Sequence, residues 1–169
     1  TFNSNATPTT VTALIKNITF EDINTDSPAE GALTIRFVLT DGDGGISTNY
    51  DVSAWVTGVS DAPVNSIPGA QSTNEDTNLI FSSGNSNQIS ITDTDANSNS
   101  IEVTVSVTNG KLTLAGTTGL TFTTGDGTID STMTFHGTVT AINTALNGLT
   151  YIPTAEYNGG ATLTLASRD

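Results

Sequence analysis

The chain lacks cysteine altogether, holds a single histidine and only four basic residues, and contains no apolar run close to a membrane span. Without thiols there is neither a disulfide framework nor a thiolate metal site. With one His, His136, and no G-x-S-x-G motif, a Ser-His-Asp constellation lacks its usual parts. A glycosidase needs two carboxylates facing each other across a cleft, and here the acids fall in polar turns. No enzyme is expected. Four Lys and Arg stand against 17 Asp and Glu, a net of −13, so nucleic acid and anionic membranes would be repelled. Nor does any stretch reach the roughly 18 apolar residues that cross a bilayer, and membrane insertion is not expected. Cations are the natural counterpart of such a chain. Good helix formers are sparse, and Thr, Ser, Asn and Gly fill the space between apolar residues.

Strand patterns prevail. Ile101-Glu-Val-Thr-Val-Ser-Val-Thr alternates apolar and polar without a break, which puts Ile101, Val103, Val105 and Val107 on one face. Asn109-Gly110 follows and predicts a hairpin back into Lys111–Leu114, with both turn positions at φ > 0. Further strands are predicted at Thr77–Phe81, Gln88–Thr92, Leu120–Thr124, Ser131–His136, Leu149–Ile152 and Ala161–Ala166. Earlier in the chain the same reasoning places them at Asn17–Glu21, Leu33–Thr40 and Ile46–Val59. Two short helices interrupt the pattern. Val139, Ile142 and Leu146 recur at helical spacing behind Thr138 as N-cap, and Thr7-Pro8 opens a similar run through Val11, Leu14 and Ile15.

The chain also matches itself. Val11–Phe20 (VTALIKNITF) parallels Ile142–Tyr151 (INTALNGLTY), and Leu33–Asp41 (LTIRFVLTD) parallels Ala161–Asp169 (ATLTLASRD). The expected organisation is therefore the C-terminal half of one unit at 1–60, a linker at 61–66 around Asp61-Ala-Pro-Val, and the major N-terminal part of the next unit at 67–169. Such a piece reads as cut from an array, and arrays are more often scaffolds than catalysts.

Acidic residues gather in turns: Glu75-Asp76, Asp93-Thr-Asp95, and Asp41-Gly-Asp43, with Asp169 at the place of Asp41. Oxygen donors with nothing softer nearby select Ca²⁺, whose six to eight loosely placed ligands suit irregular loops. A lone turn Asp is ordinarily an Asx-turn former. Several gathered together repel unless a cation joins them. Asp93-x-Asp95-x-Asn97 begins like an EF-hand loop but has Ser98 for the glycine and Thr104 for the bidentate Glu.

Five segments occur in order: Ser60-Asp-Ala-Pro-Val, Asn74-Glu-Asp-Thr77, Asp93-x-Asp95-Ala, Ala141-Ile-Asn-Thr-Ala-Leu146 leading through Leu-Thr-Tyr to Pro153, and Tyr157-Asn-Gly. Together they resemble the cadherin-like tandem repeats of giant bacterial surface adhesins, which also occur in RTX-type and biofilm-associated proteins. In that family Asn stands where Ser60 does. The resemblance implies an all-β fold of Ig/cadherin-like β-sandwich repeats, with one short helix per repeat here. It also implies an extracellular or cell-surface location and a Ca²⁺-rigidified extender role in adhesion, biofilm matrix or a filament. By motif, the implied metal ligands are Glu75, Asp76, Asp93, Asp95 and Asp169, with Asp61 from the linker and Asp41 and Asp43 from the preceding unit. Its partners would be neighbouring repeats of the same polypeptide or adjacent subunits. The rival function is a carbohydrate- or ligand-binding β-sandwich module, sited at Trp55 or at the Asp126–Asp130 turn.

Overall fold

A computed structural model describes residues 7–19, 31–40 and 44–169. The chain divides into two compact units, Thr1–Gly58 and Val59–Asp169.

In the first unit, helix α1 (Pro8–Ile15) starts where the sequence predicts. The Thr7 hydroxyl accepts from the Thr10 N–H while the Thr10 hydroxyl accepts from the Thr7 N–H, so two orphan amides of the first turn are satisfied reciprocally. Strands β1 (Gly31–Phe37) and β2 (Tyr50–Val56) form a two-stranded antiparallel ribbon, with Leu33 opposite Ala54, Ile35 opposite Val52 and Phe37 opposite Tyr50. One face of the ribbon is thus wholly apolar. On the other, Arg36 donates from Nε and Nη2 to both carboxylate oxygens of Asp51 at 2.7 and 2.8 Å. The pairing holds Asp51 below the usual carboxylate range and Arg36 above its own. None of the described residues in this unit is fully buried. The strand expected at Asn17–Glu21 is not formed at residues 17–19, and 20–21 lie outside the described residues.

The second unit carries the core. A three-stranded sheet has the order β4 (Leu79–Phe81), β10 (Leu149–Pro153), β7 (Gly110–Thr113). A four-stranded sheet has the order β11 (Leu163–Arg168), β6 (Ile101–Val107), β9 (Thr132–Gly137), β8 (Thr121–Thr124). A small ribbon pairs β3 (Val64–Ser66) with β5 (Ser90–Thr92). Helix α2 (Val139–Leu146) is capped by the Thr138 hydroxyl, which accepts from the Ala141 N–H, and buries Ile142, Ala145 and Leu146. These side chains join Ile101, Val103, Val105, Met133, Phe135, Leu112 and Leu149 in one apolar cluster. Burial of β6 follows the sequence alternation at every position. That burial is the main source of stability, at roughly 1.5–3 kcal/mol for each large apolar side chain.

The expectation of an all-β, Ig/cadherin-like β-sandwich built as tandem repeats is overturned. Among the described residues the fold is mixed α/β: two α-helices accompany four separate sheets, every one of them open. Among its described residues the first unit holds a helix and a two-stranded ribbon. Alternation of apolar residues identifies a strand and its inward face, but it is silent on which edges pair. The Asn109-Gly110 turn makes the point. β6 and β7 do not pair with each other; the turn carries the chain from the four-stranded to the three-stranded sheet. Asn109 takes the left-handed conformation at φ 54°, but Gly110 is there for space. A Cβ on it would meet the Tyr151 ring and lie 2.6 Å from the Ile152 carbonyl oxygen. The Tyr151 hydroxyl locks the corner by donating to the Asn109 carbonyl at 2.8 Å.

No helix among the described residues is long and apolar enough to cross a membrane.

Candidate functional site

Strand β5 ends at Thr92, and the chain turns at once through Asp93 and Asp95. The Asp93 Oδ1 builds that turn by accepting from the N–H groups of Asp95 (3.2 Å) and Ala96 (2.8 Å). This is the Asx-turn use of an aspartate, and it occupies one oxygen only. The Asp95 Oδ2 accepts from the backbone N–H of Asp61 at 2.9 Å, because β3 pairs with β5 and brings the chain just before it alongside the turn. The Ser60 hydroxyl donates to the carboxylate of Asp169, the residue after β11, and bears on Asp95 as well. A single hydroxyl proton serves one acceptor at a time, so Ser60 cannot satisfy both.

Two atoms are left over. Asp93 Oδ2 and Asp95 Oδ1 are shut off from solvent and have no hydrogen-bond donor. Ionised carboxylate oxygens are costly to bury in this way, and a proton or a cation between them removes the cost. No basic side chain does so. Of the four Lys and Arg, Arg36 is engaged with Asp51 and Arg168 with Glu102, and no ion pair reaches Asp61, Asp93, Asp95 or Asp169 among the described residues. Nor do three or more acidic, His or Cys side chains converge as a complete ligand set among the described residues. The donors present are two free carboxylate oxygens beside the Ser60 hydroxyl and the Asp169 carboxylate. Hard oxygens of this kind are the donor type that Ca²⁺ takes, with water in its remaining positions.

The Asp95 carboxyl is held below its ordinary value, chiefly by the Asp61 N–H. Burial opposes the shift, and Asp93, its own N–H and Ser60 add to it. A lowered pKa means that the stabilisation is complete above the ordinary carboxylate value and is lost as the pH falls through the lowered one. Carbon-detected NMR titration of the calcium-free chain should therefore show Asp95 protonating below an unstructured Asp. Titration at or above the unstructured value would contradict the geometry.

The other implied ligands lie elsewhere. Asp76 Oδ1 accepts from the Glu156 N–H at 3.0 Å, and Glu75 lines a cleft with Val107 and Leu163. Leu163 begins β11 and Asp169 follows its end, so the Glu75-Asp76 turn and the Asp93-Asp95 turn sit at opposite ends of that strand. Asp41 and Asp43 fall outside the described residues. In the Asp126–Asp130 turn the acids cap backbone: Asp130 Oδ2 accepts from Asp126 and Gly127, and Asp126 Oδ1 from Thr128. His136 is bonded through Nε2 to Glu102 at 3.2 Å, and the same carboxylate holds Arg168 at 2.7 Å. Trp55 is 77% exposed on β2.

Comparison with family models, with curated proteins and with solved structures finds no match.

Two contributors are not evident from the sequence. Ser60 figures there as a departure from the family's Asn, and its pairing with Asp169, 109 positions away, leaves no local trace. Asn143 is the second. Its amide accepts from the Ile91 N–H and donates to the Ile91 carbonyl, both at 2.8 Å, and so pins α2 to β5 one residue before the turn begins. A polar residue between the buried Ile142 and Ala145 is its only signal.

Proposed function

We propose that the chain is a calcium-stiffened structural module of an extracellular bacterial surface protein, an extender or scaffold in adhesion or matrix. The observation that carries this reading is the pair of buried, donorless oxygens on Asp93 and Asp95. Support of another kind comes from the motif order shared with giant surface adhesins and from the net charge of −13. Ca²⁺ supplies positive charge and coordination between groups that otherwise repel. Asp93 and Asp95 would hold it, with Ser60 and Asp169 alongside. The protein's own contribution is to bring three parts of the chain to one place: the turn after β5, the Ser60–Asp61 segment and the end of β11. Tying them removes torsional freedom from the segment that leads into the second unit. The output is mechanical rather than chemical.

Isothermal titration of Ca²⁺ into chelator-treated protein tests the reading. Heat of binding should be present in the wild-type chain and absent in the Asp93→Asn, Asp95→Asn double variant. No heat in the wild type, or equal heat in both, would overturn it. The rival reading as a carbohydrate-binding module has the exposed indole of Trp55 in its favour. It gives the opposite pattern: no calcium heat, and glycan binding that Trp55→Ala removes.

A further inference from the structure

Three Asn-Gly pairs occur in the second unit: Asn109-Gly110, Asn147-Gly148 and Asn158-Gly159. Asparagine is a thermolabile residue, and a following glycine has no Cβ to hinder attack of its backbone nitrogen on the Asn side chain. The fold treats the three pairs differently.

Asn109 is held by its side chain, whose Nδ2 donates to the Tyr157 hydroxyl at 3.0 Å and to the Gly160 carbonyl at 2.9 Å. Asn147-Gly148 is held at both reacting groups. The Asn147 Oδ1 accepts from the Ser83 N–H at 2.9 Å, and the Gly148 N–H donates to the Phe81 carbonyl at 2.8 Å. Asn158-Gly159 has neither restraint. Both residues are exposed in the loop between β10 and β11. Among the described residues, neither the Asn158 side chain nor the Gly159 N–H has a hydrogen-bond partner.

We propose that Asn158 is a modification site, converted spontaneously in the folded protein to aspartate and isoaspartate. Base from the solvent takes the Gly159 amide proton, and that nitrogen attacks the Asn158 Cγ. The N–Cγ bond forms, the Cγ–Nδ2 bond breaks, and the leaving nitrogen takes up a proton and departs as ammonia. Water then opens the resulting succinimide at either carbonyl. No oxidant or reductant takes part.

Packing keeps the reactive pair in place. The Tyr157 hydroxyl accepts from Asn109 and donates to the Gly160 carbonyl at 3.1 Å, which fixes its ring beside the turn. A Cβ on Gly159 would come within 2.5 Å of that hydroxyl and 2.7 Å of the ring carbon Cζ. Any other residue there would push the ring off both bonds. The tyrosine that shields Asn109 thus requires the glycine that leaves Asn158 open to attack. Conversion adds a carboxylate to the end of the unit where Glu75 borders the same cleft and Asp76 is bonded to Glu156. Asn158 has no bond to lose, so the fold survives, and the modified fraction grows with the age of the molecule.

The test is incubation of the full chain at mildly alkaline pH, with and without urea above its unfolding midpoint. Peptide mapping by fragmentation mass spectrometry then reads the exchange of NH₂ for OH at each site. In the folded chain Asn158 should convert about tenfold faster than Asn109 and Asn147, each of which must first break two hydrogen bonds. In urea the three rates should converge, because the protection is structural and not local. Asn158→Ser should fold as the wild type does and lose the acidic species that isoelectric focusing detects in aged protein. Equal rates at the three sites of the folded chain, or faster conversion at Asn109 or Asn147, would overturn the proposal. So would an Asn158 that reacts only in urea, or an acidic species that persists in Asn158→Ser. None of these readouts depends on calcium.

Discussion

Chelating calcium should lower the melting temperature of the chain by about 10 °C at millimolar starting calcium, the size expected when a ligand well above its dissociation constant binds only the folded state. The direction follows from the two donorless oxygens of Asp93 and Asp95. In the proposed calcium-bound form they would be coordinated; without the ion both oxygens stay shut off from solvent with no donor. The Asp93→Asn, Asp95→Asn variant separates this from an ordinary turn. An Asn amide removes the repulsion, so the variant should melt at the same temperature with and without chelator, and no lower than the calcium-free wild type. If both aspartates served only as turn formers, chelator would be without effect on either protein and the variant would simply be less stable. Glu75→Gln with Asp76→Asn supplies the control. That turn lies at the other end of β11, bonded to Glu156, and its neutralisation should leave the chelator response intact. Differential scanning calorimetry of the three proteins in calcium and in EDTA decides the matter.

The sequence was informative where physics is local. Perfect alternation over Ile101–Val107 yields a strand with every odd residue buried, and the Thr138 and Thr7 caps place both helices. It failed where long-range pairing decides. Asn109-Gly110 satisfies the composition of a hairpin turn, yet β7 pairs with β10 because the glycine's bare Cα admits the Tyr151 ring. Val64–Ser66 reads as a linker, and becomes a strand only because Ser90–Thr92 lies beside it. The described residues of the implied ligand set divide between two places for a related reason. Strand direction decides at which end of the sheet a turn emerges, and a list of acidic turns carries no directions. Asp61, Asp93, Asp95 and Asp169 share an end; Glu75 and Asp76 emerge at the other.

Asn143→Ala should destabilise the second unit by about 3 kcal/mol and lower its melting temperature by about 10 °C. Ile91 is fully buried, and its N–H and C=O on the side away from β3 have the Asn143 amide as their partner. The side chain acts as a one-residue strand, giving one donor and taking one acceptor. Alanine leaves both backbone groups buried and unpaired, at about 1–3 kcal/mol for each unsatisfied group. Asn143→Asp should fall between, since a carboxylate still accepts from the Ile91 N–H but repels its carbonyl. Asn147→Ala tests whether position on the helix is enough. The Asn147 Oδ1 also accepts from a backbone N–H, that of Ser83, but in an exposed setting where water replaces it, so the loss should be under about 1 kcal/mol. Because Thr92 alone separates Ile91 from Asp93, releasing β5 from α2 also loosens the turn that carries the carboxylates. Calcium affinity should therefore fall in Asn143→Ala and stay unchanged in Asn147→Ala. Thermal melts that agree within about 2 °C for Asn143→Ala and wild type would mean that water reaches Ile91, and that the helix does not hold the site in place.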